Sequence, residues 1–167
     1  MRNLLLGVVI GVVVVMLAAY LFLTRGMPVA TKGGPPPLER FLASTALHHA
    51  MKGEVDAPAP IAQDEANLLA GAKVYRAQCG VCHGLPHQPP SAIASGMFPR
   101  PPQLFMPGKG VTDDPVGETH WKVKNGIRLS GMPGFTDALS DAEMWQVSLL
   151  LLKADQLPNR VQQALRP

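Results

Sequence analysis

The chain has 167 residues, 47% of them hydrophobic but only 5% aromatic, with 17 Pro and 16 Gly. That composition leaves room for one domain of about 100 residues plus extensions, with long irregular segments rather than dense secondary structure. The formal charge is +3, but from Ile61 onward 10 Lys and Arg face 9 Asp and Glu, so nucleic-acid binding has no electrostatic basis.

The first element runs from Leu4 to Leu23, twenty residues without a charge. As a helix it spans about 30 Å, the thickness of a bilayer's hydrocarbon core. Arg2 and Arg25 bracket it, and Tyr20 and Phe22 lie near one interface. Ala18 and Ala19 are followed by more apolar sequence, a poor cleavage site, so residues 1–25 read as an uncleaved transmembrane anchor rather than a secretory signal. Gly7 and Gly11 make one G-x-x-x-G pair, a weak sign of helix pairing. Arg2 on one side and Arg25, Lys32 and Arg40 on the other leave orientation open on charge alone.

Residues 26–60 read as a linker. Gly33-Gly34-Pro35-Pro36-Pro37 is stiff and extended. Leu38, Phe41, Leu42, Thr45, Ala46 and His49 then recur at helical spacing, predicting a short amphipathic helix over Leu38–Lys52. The adjacent His48 and His49 point to different helix faces, which suits surface and packing roles better than metal binding. Ala57-Pro58-Ala59-Pro60 closes the linker.

The main domain is expected over 61–158. Asp64 caps a helix whose Leu68, Ala72 and Tyr75 form one stripe. Gly71 shares a face with Tyr75 and allows another helix to approach closely. This helix delivers Cys79-Gly80-Val81-Cys82-His83, a C-x-x-C-H motif. Two thiols three positions apart can add across the two vinyl groups on one edge of a porphyrin, and the following imidazole can then become the proximal iron ligand. A zinc site would need a second Cys pair, and the chain has only 2 Cys. A thioredoxin-like dithiol would follow a strand, whereas Ala70–Gln78 reads as helix.

Gly84 to Gly110 is proline-rich and nearly aperiodic, a long loop of the kind that needs an organising group. A porphyrin would offer Ile93, Phe98, Leu104 and Phe105 a surface to pack on. Asp114 as N-cap and Pro115 as first helical residue open a helix expected to end at Gly126. Beyond it lies Ile127-Arg128-Leu129-Ser130-Gly131-Met132-Pro133-Gly134-Phe135. A thioether held between Gly131 and Pro133 can be presented rigidly to iron, although Met elsewhere is usually a gap-filling core residue. Met97, Met106, His87 and His120 are its rivals. Lys122, Lys124 and Arg128 form either a patch that steers an acidic partner or a solvated helix face. Ser140 and Glu143 make a capping box for the last helix, whose Trp145, Leu149 and Leu152 are the natural partner of the Gly71/Tyr75 face. Pro158 ends it, and 159–167 reads as a dispensable tail.

Together these residues resemble the class I c-type cytochromes, in particular small membrane-anchored mono-haem members, and are similar to haem-bearing subunits of membrane dehydrogenase and oxidase complexes. The likeness covers about Asn67 to Leu157. Gly71-x-x-x-Tyr75 looks like the family's first-helix pattern, Cys79, Cys82 and His83 match its attachment motif, and Gly131-Met132-Pro133-x-Phe135 matches its distal-ligand loop. Trp145 sits where the family carries an aromatic on the last helix. Pro102-Gln103-Leu104 resembles the family's Pro-Asn-Leu, with Gln103 as a departure and the neighbouring Pro101 as a competing register.

The resemblance implies an all-α fold: a cytochrome c-like domain of a few helices and long loops wrapped around one covalently bound haem c, preceded by one transmembrane helix. It implies that Pro102 accepts the His83 N–H, that Leu104 lies at the haem, that His83 and Met132 are the axial ligands, and that Arg100 and Trp121 stand near the propionates. The expected function is one-electron transfer between redox proteins, either as a free carrier or as a subunit of a dehydrogenase or oxidase complex. Attachment of haem outside the cytoplasmic membrane puts the haem domain in the bacterial periplasm. A haem-based ligand sensor or small peroxidase with a displaceable Met132 is the alternative.

Overall fold

The computed structural model describes residues 1–106 and 110–166. Residues 107–109 of the expected proline-rich loop and Pro167 of the expected tail lie outside them. The chain divides into two units, Met1–Leu42 and Ala43–Pro167. In the first, α1 (Arg2–Leu21) continues into a wide π-helical turn, Phe22–Gly26. Its residues are all exposed, and by length and composition this helix is apolar enough to cross a membrane. Helix α2 (Glu39–Met51) runs across the division between the units.

The second unit is built from α3 (Glu65–Val74), α4 (Gly80–His83), α5 (Ala92–Gly96), α6 (Val116–Asn125), α7 (Asp141–Leu152) and α8 (Asn159–Ala164). Among the described residues there is no strand, only an isolated antiparallel bridge between Ile127 and Met132. The all-helical expectation holds.

Two helix starts follow from side-chain oxygens that take up orphan N–H groups. Asp64 accepts from the Asn67 N–H at 2.9 Å. Ser140 and Glu143 form the reciprocal capping box of α7. Helix α6 begins one residue later than its sequence suggests, at Val116, because Pro115 is extended and serves as the N-cap. Asp114 instead lies 3.8 Å from Lys122.

Helices α3 and α7 cross at Gly71. A Cβ there would lie 2.3 Å from the Gln146 carbonyl oxygen and 3.2 Å from Leu150 Cβ, so only glycine permits this approach. The Gln146 side chain adds a hydrogen bond to Asn67 at 3.0 Å. The core gathers Leu68 and Ala72 from α3 and Tyr75 from the turn after it with Met144, Val147, Leu150 and Leu151 from α7. Tyr75 is fully buried, donates its hydroxyl to the Gly84 carbonyl at 2.7 Å, and meets the Phe105 ring edge-on at 5.0 Å.

The structure differs from the sequence expectation at both ends of this unit. Met51, placed by sequence in the linker, is 1% exposed. The carbonyls of Glu54 and Val55 lie close over Gly117 of α6. The expected dispensable tail folds as α8, whose Val161, together with the following Leu165, is buried in the core. Arg76 also reaches the Ala164 carbonyl at 3.2 Å. Burying a Val or Leu side chain is worth about 1.5–3 kcal/mol. Deleting 159–167 is therefore expected to cost the full-length protein roughly 3–5 kcal/mol, read as a lowered midpoint in thermal unfolding. An unchanged midpoint would mean that the tail is dispensable after all.

Candidate functional site

Helix α3 does not run straight into the C-x-x-C-H motif. A π-helical turn, Tyr75–Cys79, stands between α3 and α4. One extra residue in a turn rotates everything after it by about 100° relative to a regular helix. Tyr75 thereby stays in the core while Cys79, Cys82 and His83 face a separate cavity of about 220 Å³. Met97, Arg100, Pro102, Val123, Ile127, Met132 and Phe135 contribute to the same wall. The lining is mostly apolar, and it draws on three segments remote from one another in sequence.

The proximal side is clamped by Pro102-Gln103-Leu104. His83 Nδ1 lies 2.9 Å from the carbonyl oxygen of Pro102, not of Pro101. A carbonyl only accepts, so Nδ1 carries the proton and Nε2 keeps its lone pair. Burial lowers the His83 pKa, partly offset by that backbone bond, which favours the neutral ring. Gln103 donates its side-chain amide to the Cys82 carbonyl at 3.2 Å, and the Leu104 N–H donates to the His83 carbonyl at 3.4 Å. The departure from Asn at position 103 thus leaves the loop anchored to the motif.

The distal side is a short loop pinned at its base. The Ile127 N–H donates to the Met132 carbonyl at 3.1 Å. The Ser130 hydroxyl donates to the Ile127 carbonyl at 2.6 Å and accepts from the Met132 N–H at 3.3 Å. Farther on, the Phe135 N–H bonds to the Val123 carbonyl and the Thr136 hydroxyl to that of Lys124, fastening the loop to the end of α6.

Met106 and His87 line two other cavities, one of which His83 also borders, and neither lines the cavity that holds Met132. His120 is buried, stacked on Trp145 at 3.8 Å, with Nε2 3.2 Å from Asp141. Burial lowers its pKa, with the Asp141 carboxylate opposing. Met97 alone shares the cavity with Met132. Of the expected cofactor contacts, Arg100 lines the cavity, but Leu104 and Trp121 do not. Leu104 is buried in the protein core, turned there by the clamp on His83. Trp121 lies half-buried on α6. The expected basic patch is also reduced, because Lys122 pairs with Glu118 and Asp114 and leaves Lys124 and Arg128.

The two thiols are not joined in a disulfide. Burial, then the proximity of Cys82, pushes the Cys79 thiol up to about 12. A reactive thiol needs the opposite, a stabilised thiolate. This environment suits the residues that would hold a haem: two thiols on one edge, a neutral imidazole beside them, a thioether in the same cavity and apolar walls.

A family match agrees with that chemistry. The family model described as cytochrome C oxidase, cbb3-type, subunit III matches residues 66–149, half of the chain. A solved structure titled as the reducing HAO-like protein complex of Kuenenia stuttgartiensis contains a chain that is 23% identical, with a TM-score of 0.48. That match covers 57% of this chain and 46% of the other, so this chain spans less than half of the solved chain's length. No curated protein matches. The stretch of the family match runs from the α3 crossing through the cysteines, the Pro102 clamp and the Met132 loop to the middle of α7, and the chain accordingly belongs to the cbb3-type cytochrome c oxidase subunit III family, within the class I c-type cytochromes.

Proposed function

We propose that this chain carries single electrons on one haem c, joined to Cys79 and Cys82 and ligated by His83 Nε2 and the Met132 sulfur. The observation that carries the reading is the meeting of a neutral imidazole and a thioether in one apolar cavity with the paired thiols. Two axial side chains leave the iron no open position for substrate, and Met/His ligation raises the reduction potential. Arg100, which lines the cavity, would be the partner for the haem carboxylates.

In this reading Leu4–Leu23 anchors the chain in the bacterial inner membrane and the haem domain lies on the periplasmic side. The exposed, uninterrupted apolar helix supports the anchor. Tethering raises the effective concentration of the haem near other membrane complexes, whose redox proteins serve as donor and acceptor. Lys124 and Arg128 are the remaining cations for steering an acidic partner, an effect that salt screens over about 10 Å at 0.1 M.

The test is a redox titration of washed and alkali-extracted membranes from cells producing the full-length protein. The reading expects one covalent haem per chain, retained through extraction and titrating as a single one-electron component. Release of the cytochrome by alkali would remove the anchor. A two-electron or two-component titration would remove the single-haem carrier.

A further inference from the structure

The Met132 loop is hydrogen-bonded at its base, but Gly131 at its turn has φ +77 and no side chain of its own to brace it. Its flank meets one outside group. The terminal methyl of Met97 lies 2.7 Å from where a Gly131 Cβ would point. Apart from the glycine's chain neighbours, no other heavy atom of the described residues comes within 4 Å of that point. Met97 follows α5 directly, in the same loop whose later residues clamp His83, and it lines the cavity beside Met132. Its half-buried side chain therefore connects the proximal loop to the turn that presents the distal thioether.

We propose that Met97 is a positioning residue that packs against Gly131, limits movement of the Gly131–Met132 turn and so keeps Met132 on the iron. A long, unbranched thioether suits this task, since it fills an irregular gap against a backbone that carries no Cβ. The inference rests on the electron-carrier reading and adds to it a reason why the distal position stays closed. With Met97 shortened, the turn gains room, the Met132-detached state becomes more populated, and small ligands reach the iron. Apparent affinity for an external ligand scales with the competent fraction, so a tenfold rise in that state reads as a tenfold tighter apparent affinity.

The experiment compares wild type, Met97→Ala and Met97→Leu as full-length, haem-loaded protein in detergent. Each ferrous form is titrated with carbon monoxide, and the sulfur-to-iron charge-transfer band is recorded in each ferric form. Met97→Ala is expected to bind carbon monoxide about tenfold more tightly than wild type and to weaken the band. Met97→Leu, which refills the gap without a sulfur, is expected to restore both. Should Met97→Ala fail to accumulate, Met97→Val is used in its place with the same expected direction.

Wild-type behaviour in Met97→Ala or its replacement, with wild type itself binding carbon monoxide only weakly, would overturn the positioning role and leave the carrier reading intact. Loss of the band in Met97→Leu would make Met97 the ligand and overturn the proposal. Ready carbon monoxide binding by wild type would remove the carrier reading and this inference with it.

Discussion

Met132→Ala is expected to convert the haem from six-coordinate to one with an open distal position. The variant should lose the weak sulfur-to-iron band of the ferric protein and bind carbon monoxide when ferrous. Its reduction potential should fall by on the order of 0.1 V or more, within the ~0.8 V range that axial ligation spans, because the Met thioether favours the ferrous state. The expectation comes from where the thioether stands. Its loop is held by the Ile127 and Ser130 hydrogen bonds, and it lines the cavity that His83 also lines. Met97 is not expected to take over, since its methyl is committed to the Gly131 flank. A band that survives Met132→Ala and disappears in Met97→Leu would reassign the ligand.

The second large effect is expected far from the cavity. Gly71→Ala should destabilise the protein by about 3 kcal/mol or more, at the upper end of overpacking costs. The added Cβ would stand 2.3 Å from the Gln146 carbonyl oxygen and 2.7 Å from its carbon, and backbone atoms in the middle of a helix cannot rotate away. The two helices must separate, loosening the contact of Leu68 and Ala72 with Val147 and Leu150. For a domain of this size the unfolding midpoint should fall by roughly 10–20 °C, measured on haem-loaded full-length protein. A midpoint within a few degrees of wild type would show that the crossing relaxes at little cost.

These two sites illustrate what the sequence makes legible. Asp64, Ser140 with Glu143, and Gly126 announce helix ends through local chemistry. Gly71 announces a close approach because the same face carries Tyr75 and the last helix offers an apolar surface. The C-x-x-C-H spacing and the Gly-Met-Pro loop point to one group binding both. The readings that missed share a different cause. Val161 and Leu165, four residues apart, are a helical stripe visible in the sequence, but Pro158 is the N-cap of α8 rather than the end of α7, which stops at Leu152. Ser91 after Pro89-Pro90 signals α5 through its side chain, which accepts from the Ala94 N–H.

Other features rest on contacts between distant segments, which no local pattern records. Met51 buries itself, His120 stacks on Trp145, Lys122 is taken by Glu118 and Asp114, and Leu104 turns into the core. The Met97 contact belongs to this class. In sequence Met97 is one thioether among rivals, and only the fold brings its methyl against Gly131.

In the proposed function His83 and Met132 close both axial positions of a single haem, and the chain is an electron carrier. The most direct test is a reduced-minus-oxidised absorption spectrum of the full-length protein, recorded with and without carbon monoxide. The expected spectrum is c-type, and low concentrations of carbon monoxide leave it unchanged. A spectrum shifted by carbon monoxide at low concentration would contradict it and favour a haem protein that binds external ligands.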